Sequence, residues 1–397
     1  MVSEVGMRRL TSCRGCYAPA SGFEEILRFE PMPLVGDFSP SADEARHLPR
    51  YAFTLIYCTG CGLVQVLEDI DAQILFGTYH YKSSSIPGVV RHFSDYASEL
   101  GRRYAGDRTA VLEVGCNDGV LLSRLPAGWR RVGVDPSDVA AHAADGTYQL
   151  VNRHFTSALA ADVAADGPFD LVVSSNCVAH VSDIRDTFLG MSRVLREGGD
   201  MWIEAHDLDA VLNGQWDALY HEHKAYWSVD SMAHCAALHG FELQEVFRLP
   251  VHGGLLRIRF RKRSTVSDPG RVAARPSFER VLGAYERRRS SPVYKTIERL
   301  TASGARVAGY GASGRAAVWF NQLPELRFSY VVDDSPLRAN TWMPGVALPV
   351  VEGGIFKAQP PDACVITAWN YAEDIRQRNP WFKGTWLQNF TRAGERA

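Results

Sequence analysis

The sequence has no apolar run near the ~20 residues that a membrane-spanning helix needs. It has no surplus of either charge, because 43 basic and 45 acidic side chains leave a net charge of −2. Such a chain has no global electrostatic pull toward nucleic acid or an anionic membrane. Cysteine is sparse, with eight in 397 residues, which is not the density of a disulfide scaffold. No internal repeat or low-complexity tract is present. The opening residues, Met-Val-Ser-Glu-Val-Gly-Met-Arg-Arg, lack the apolar stretch of a secretory signal. What remains is ordinary globular material, 46% apolar and 22% charged, which sets aside disordered, collagen-like and coiled-coil classes. At ~150 residues per domain, the length predicts two or three domains. The expectation is a soluble, cytoplasmic, monomeric protein with a small-molecule partner and neither nucleic acid nor membrane as target.

The few cysteines are unevenly placed. Four fall in two pairs, Cys13-x-x-Cys16 and Cys58-x-x-Cys61. A CxxC turn presents two thiolates to one ion, and Zn²⁺ takes four such ligands tetrahedrally. Gly62 permits the tight turn after Cys61. The spacing therefore predicts a structural zinc site with no open coordination position, against the alternative of four unligated or redox thiols. A unit this short has little core of its own, so the metal is expected to supply folding energy. Residues 1–80 read as a strand-poor zinc module, interrupted by Pro31, Pro33, Pro40 and Pro49.

From residue 84 the pattern changes. A helix over 84–104 leads into strand Ala110–Val114, and strands then alternate with helices. Strands are expected at Arg131–Val134, Leu150–Val151, Asp170–Ser174 and Asp200–Glu204, with helices at Val120–Leu125, Val139–Ala144 and Ile184–Leu195. Such alternation predicts an α/β fold with a parallel sheet, ending in two strands, Phe241–Val246 and Leu255–Phe260. Residues 81–262 thus form a central domain. An Arg-, Ser- and Pro-rich linker and a helical connector fill 263–303, with Arg287-Arg288-Arg289 as a solvated face. A second α/β segment occupies 304–397: strands Arg306–Tyr310, Phe328–Val332 and Ala363–Thr367, and helices to about Leu323 and over Tyr371–Gln377.

Chemistry concentrates in two places. Glu113-Val-Gly115-Cys116-Asn117-Asp118-Gly119 follows the first central strand, and Asp135 ends the next one. A glycine-rich turn at a strand end lets the backbone approach a ligand, and an acid about twenty positions on can hold ribose hydroxyls. The alternative is a plain α/β turn. Further on, Trp216-Asp-Ala-Leu-Tyr220-His221-Glu222-His223 gathers two histidines, a glutamate and a tyrosine. Contiguous His-Glu-His fails the zincin spacing. His221 and His223 as metal ligands is one reading. General acid–base work by imidazole near neutral pH is the other.

The pattern resembles the S-adenosylmethionine (SAM)-dependent nucleotide-sugar C-methyltransferases of deoxysugar biosynthesis, which include the C-3 methyltransferase of the antibiotic tetronitrose pathway. The resemblance rests on CxxC…CxxC, E-x-G-x-x-x-G, Tyr220-x-Glu222-His223, Leu249-Pro-Val-His252-Gly253-Gly254, Gly309-Tyr-Gly311-Ala-Ser-Gly314 and Ala368-Trp369-Asn370, in that order. It covers nearly the whole chain.

It implies a zinc module, a class I SAM methyltransferase Rossmann-like domain and a C-terminal Rossmann-like substrate-binding domain. The activity implied is methylation of the carbon beside the ketone, C-3, of a nucleotide-linked 4-keto-6-deoxysugar through an enolate. Glu113, Gly115, Asn117, Gly119, Asp135, Pro136, Ser175 and Asn176 would border SAM. His223 would be the base, Glu222 and Tyr220 would orient it or polarise the ketone, and His180 would lie near the oxyanion. Tyr79 or Tyr81 would enter from the N-terminal region. Arg315 stands close to where relatives carry lysine. Gly309-x-Gly311 with Asp333 and Asp334 also admits a second dinucleotide site.

Overall fold

The computed structural model describes residues 5–76, 82–105, 109–251, 253–265 and 274–390. Tyr79, Tyr81 and His252 lie outside the described residues.

The N-terminal region is richer in strands than its prolines suggest. β1 (Met7–Arg9), β2 (Phe23–Met32), β3 (Tyr51–Cys58), β4 (Val64–Val66) and β5 (Glu68–Ile70) fall within the first 70 residues. Proline removes a ladder donor and is tolerated at edges and irregularities. Pro31 sits where the β2–β3 register shifts, between Phe29 and Met32, and β2 is the outer strand of its sheet. Pro33, Pro40 and Pro49 fall in the connections. β1 pairs with β5, while β2, β3 and β4 form an antiparallel sheet completed by a strand from far along the chain.

The central sheet has seven strands: β6 (Ala110–Val114), β7 (Arg130–Val134), β8 (Gln149–Val151), β9 (Phe169–Ser175), β10 (Leu195–His206), β12 (Phe241–Leu249) and β13 (Leu255–Lys262). Between β10 and β12 comes β11 (Ala225–Tyr226), the strand that completes the N-terminal sheet beside β4. The spatial order is β12-β13-β10-β9-β6-β7-β8, with only β13 antiparallel to its neighbours. Val111, Leu112, Val114 and Leu171–Val173 are buried, as continuous apolar strands covered on both faces should be.

The helix expected at Val120–Leu125 is reduced to one 3₁₀ turn, Leu122–Arg124. Pro126 is the reason: the residue before a proline is pushed out of the helical region, and Leu125 has ψ 157°. Likewise, the connector splits into helices Glu279–Glu286 and Pro292–Ala302. Pro292 takes the first position of the second helix, and the Ser291 side chain accepts from the Tyr294 N–H. In the basic run between them, Arg289 pairs with Glu325 and the Arg288 Nε donates to the Gln322 carbonyl.

The C-terminal unit is a parallel sheet of β14 (Val307–Tyr310), β15 (Val331–Val332), β16 (Val350–Val351), β17 (Ala363–Ile366) and β18 (Thr385–Gln388), ordered β16-β15-β14-β17-β18. The three regions share cores. Phe29, Phe53 and Leu55 pack with Trp216, Tyr285, Val318 and Phe320. On the other side Cys58, Cys61 and Leu63 pack with Trp227, Met232 and Val172. The N-terminal sheet is thus wedged between the two α/β units. No helix of the described residues is long and apolar enough to cross a membrane.

Candidate active site

An open α/β sheet binds ligands outside the C-terminal strand ends, where the chain order reverses. Here that point lies between β6 and β9. Gly115 follows β6 with φ +79°, and a Cβ there would stand 2.6 Å from Cys177 Sγ. Gly119 has φ +70°, and its Cβ would stand 2.4 Å from Tyr148 Oη. Both positions need glycine for conformation and for space.

Asp135 holds this turn in place. One carboxylate oxygen accepts from the Asn117 N–H at 2.9 Å, and the other from the Ser137 N–H at 2.9 Å and its hydroxyl at 2.6 Å. A carboxylate has about four acceptor sites, so these bonds leave capacity for ribose hydroxyls. Pro136 follows on the surface. Asn117 Oδ1 and Asp118 Oδ2 accept from the Ser83 and Ser84 N–H groups, which ties residues 83–85 over the turn.

Several buried polar atoms here lack a hydrogen-bond partner among the described residues: Glu113 Oε2, Ser175 Oγ, Asn176 Oδ1 and Tyr148 Oη. Burial first, and then the nearby Asp135, push the Glu113 carboxyl well above its ordinary value. Orphaned buried groups are costly, and a charged, hydrogen-bonding ligand satisfies them. The residues fit SAM. Asp135→Ala should weaken SAM binding by about 1.5–3 kcal/mol, the scale for losing a charged acceptor. Calorimetry checks it, and unchanged affinity would remove Asp135 from the site.

The segment after β9 runs from this turn to the second constellation. Cys177 faces Gly115, and the His180 N–H donates to the Cys177 carbonyl at 2.8 Å. His180 Nδ1 donates to the Glu222 carbonyl at 2.8 Å, so Nε2 carries the lone pair. Burial pushes His180 down to about 4. The His180 and His223 rings are 5.0 Å apart. Tyr220 Oη and His223 Nε2 are hydrogen-bonded at 3.0 Å. Burial, followed by the neighbouring His206 and His180, holds His223 well below its ordinary value, so it stays neutral.

His206, at the end of β10, lies 4.7 Å from His223 ring to ring. Sequence reasoning passed it over, although a histidine closing the fifth parallel strand was a usable signal. His221 points elsewhere: its Nε2 donates to the Ala52 carbonyl at 3.0 Å, and its ring meets Phe53 edge-on. It therefore serves the N-terminal sheet, and the pairing of His221 with His223 as metal ligands loses its geometry.

The loop carrying these residues is anchored by the C-terminal unit. Asp217 is fully buried. It accepts from Arg315 Nε at 3.0 Å and Nη2 at 2.6 Å, and from Trp369 Nε1 at 3.2 Å. Gly253 sits beside Arg315 and Trp369. Three motifs distant in sequence thereby meet behind Tyr220. At Gly309-x-Gly311, a Cβ on Gly311 would stand 2.4 Å from Ala368 Cβ, so chain packing accounts for that glycine. Asp333 accepts from the Ala312 and Ser335 N–H groups, and Asp334 from Tyr310 Oη and Arg378.

Glu222 is half-buried against the turn at Gly36, whose Cβ would lie 3.3 Å from Glu222 Oε1. Burial first, then Asp37, raise Glu222 from 4.5 to about 7, with Arg338 opposing. Burial raises Asp37 to about 6. Because the folded value lies above the unfolded one, stability is greatest below pH 4.5 and falls as pH rises through 7. Glu222→Gln should therefore melt several degrees higher than wild type above neutral pH, with the gain bounded by about 3 kcal/mol. The two melting curves should converge in acid. A variant no more stable than wild type at alkaline pH would contradict a raised Glu222.

In the N-terminal region, the sulfurs of Cys13, Cys16, Cys58 and Cys61 all lie within 4.8 Å of one another. Cys13–Cys61 and Cys16–Cys58 are 3.6 and 3.7 Å apart. Four sulfurs about 2.3 Å from a tetrahedral Zn²⁺ are ~3.8 Å apart. Gln65 Nε2 and the Gly15 N–H both donate to Cys13 Sγ, the outer-shell support that thiolate ligands receive. The cluster is compatible with zinc.

The central strand order, with its single antiparallel strand, is that of the class I SAM methyltransferases, and the chain is a SAM-dependent methyltransferase. Residues 89–246 match the family described as methyltransferase domain, and residues 250–387 the family described as C-methyltransferase C-terminal domain. The C-methyltransferase NovU of Streptomyces niveus is 28% identical over 390 residues, covering 93% of this chain and 92% of that protein. The malonyl-(acyl-carrier protein) O-methyltransferase of Paenibacillus sp. (strain JDR-2) is 33% identical over 112 residues, covering 26% of this chain and 41% of that protein. Among solved structures, N-methyltransferase NodS from Bradyrhizobium japonicum WM9 in complex with S-adenosyl-L-homocysteine (SAH) is 16% identical, with a TM-score of 0.34 over 43% of this chain and 86% of that one. Together these matches support a SAM-dependent C-methyltransferase.

Proposed function

We propose that this enzyme methylates the carbon beside the ketone, C-3, of a nucleotide-linked 4-keto-6-deoxysugar, by way of an enolate. The observation that carries the reading is the Tyr220–His223 hydrogen bond, set among His180, from the segment after β9, and His206, at the end of β10. A C–H beside a carbonyl is acidic because its anion delocalises onto oxygen, so it needs a neutral base and a donor near that oxygen. His223, held neutral, is the base. Glu222 and Tyr220 orient it or polarise the ketone, and His180 lies near the oxyanion. Bound SAM supplies an electrophilic methyl on a sulfonium, held by Glu113, Gly115, Asn117, Gly119, Asp135, Pro136, Ser175 and Asn176.

In the same reading, residues 1–80 form a zinc module, 81–262 the methyltransferase domain, 263–303 a connector and 304–397 the substrate-binding domain. The enzyme is a cytoplasmic monomer in deoxysugar biosynthesis. The test is enzyme-dependent SAH release across dTDP-, GDP- and CDP-linked keto-sugars, with NMR of the product. A new methyl on carbon beside the ketone supports the reading. A methyl on oxygen or nitrogen, or SAH release with none of these sugars, overturns it.

A further inference from the structure

His180 and His223 stand on two separate stretches of chain, and bonds between those stretches set how far apart the two rings lie. The Ala225 N–H donates to the Ala179 carbonyl at 3.2 Å. His180 Nδ1 donates to the Glu222 carbonyl at 2.8 Å. A third bond joins side chains, from Lys224 Nζ to Ser182 Oγ. Lys224 is the residue after His223, and Ser182 lies two beyond His180.

This side-chain tie is rooted in β5. Lys224 is only 1% exposed, and Asp69 5%. A lysine ammonium has three N–H donors. They meet Ser182 Oγ, Asp69 Oδ1 at 2.9 Å and the Ile70 carbonyl at 3.0 Å. The Ser182 hydroxyl donates in turn to Asp69 Oδ1 at 3.0 Å, so lysine, serine and carboxylate form a closed triangle. Buried Arg14 donates to the same oxygen at 3.0 Å, and Arg8 to the other at 2.9 Å. Burial works against the charge on Asp69, but Arg14 and Lys224 hold its carboxyl down at about 2. The backbone is held as well, because the Val66 N–H of β4 donates to the Lys224 carbonyl at 3.0 Å. Well-packed apolar side chains often stabilise a fold as much as a buried ion pair does. Stability alone therefore does not call for a lysine here, whereas three directed bonds from one atom set a position.

We propose, resting on the enolate reading above, that Lys224 is a positioning residue for proton removal: by binding Asp69 and Ser182 together it fixes His223 relative to His180. Lys224 acts through the chain that carries His223 and touches neither substrate nor SAM. Asp69 is the fixed post, and Ser182 carries the constraint to the His180 side. The rings are thereby kept at their 5.0 Å separation. A misplacement of about 1 Å between a base and its substrate costs up to ~10² in rate, so loosening this triangle should slow the chemical step and leave binding intact.

The test uses full-length wild type, Lys224→Met, Ser182→Ala and Ser182→Thr. It measures solvent deuterium entry beside the ketone without SAM, kcat, the KM for the keto-sugar, SAH affinity and melting temperature. Methionine keeps most of the lysine stem and leaves Asp69 paired with Arg14 and Arg8. Lys224→Met should lower exchange and kcat together by about 10–10², with KM and SAH affinity within a factor of about two. Ser182→Ala decides the matter if Lys224→Met fails to fold, because it leaves Asp69, Arg14 and Lys224 paired. It should lose about tenfold in exchange and kcat at the wild-type melting temperature. Ser182→Thr, which keeps the hydroxyl, should recover most of that loss. Ser182→Ala exchanging at the wild-type rate overturns the proposal, as does a Lys224→Met that melts lower but turns over as fast as wild type. A loss carried by KM or SAH affinity overturns it too. Wild-type enzyme that releases SAH yet exchanges no deuterium overturns the enolate reading itself, and the positioning role with it. That result is distinct from a wild type that exchanges beside variants that exchange equally, which removes the positioning role alone.

Discussion

His223→Asn should keep its affinity for SAM and lose kcat by about 10²–10⁴, the span for removing a general base. Asparagine is close in size to imidazole but has no site that takes a proton near neutral pH. Binding should survive, since the contacts of Asp135, Gly115 and Gly119 in that turn do not involve His223. The loop is also held without it, through Asp217 on Arg315 and Trp369. Single-turnover SAH release together with calorimetry separates the two quantities. Near-wild-type turnover would shift the proton-accepting role to another group. His180 is the first alternative, because its ring lies 5.0 Å from that of His223 and its Nδ1 donates to the Glu222 carbonyl.

Cys58→Ser should cost several kcal/mol of stability, part of the about 10–16 kcal/mol with which structural zinc binds small peptides. The effect should not be confined to the N-terminal region. Cys13, Cys58 and Cys61 are buried in the same core as Trp227, Met232 and Cys235 of the methyltransferase domain. A Cβ on Gly15 would stand 2.6 Å from Cys235 Sγ, so the first cysteine turn rests against helix Val229–Ala237. Losing the metal should therefore loosen the wall that carries β11 and, two residues before it, His223. Elemental analysis should find about one zinc per chain, and chelation should lower the melting temperature and the activity together. Metal-free protein with an unchanged melting temperature would contradict the site.

Much of the central domain was legible because a buried parallel sheet writes itself as short apolar runs. β6, β7 and β9 lie within a residue of where Ala110–Val114, Arg131–Val134 and Asp170–Ser174 place them. The Cys₄ cluster was legible too, since thiol chemistry leaves few other uses for paired CxxC. Other features depend on contacts that spacing does not encode. The N-terminal strands hid behind prolines that a register shift and loops accommodate. The Val120–Leu125 helix failed on one residue, Pro126.

Within the site, Tyr220 and His223 were visible as a local cluster, and the structure brings His180 to them. It sends His221 to the opposite side of the loop, where it bonds the Ala52 carbonyl. His206 was marked only by its place at the close of β10 and not by a motif around it. The Asp217–Arg315 pair spans 98 positions, so only the folded chain reveals that the C-terminal unit braces the loop carrying Tyr220 and His223.

The most direct test of the enolate account is wild-type enzyme with a nucleotide-linked 4-keto-6-deoxysugar in D₂O, without SAM, followed by NMR at the carbon beside the ketone. The account predicts enzyme-dependent loss of that proton signal at a rate no slower than turnover, because proton removal precedes and does not need the methyl donor. A signal that persists under conditions where added SAM is turned over to SAH would contradict it.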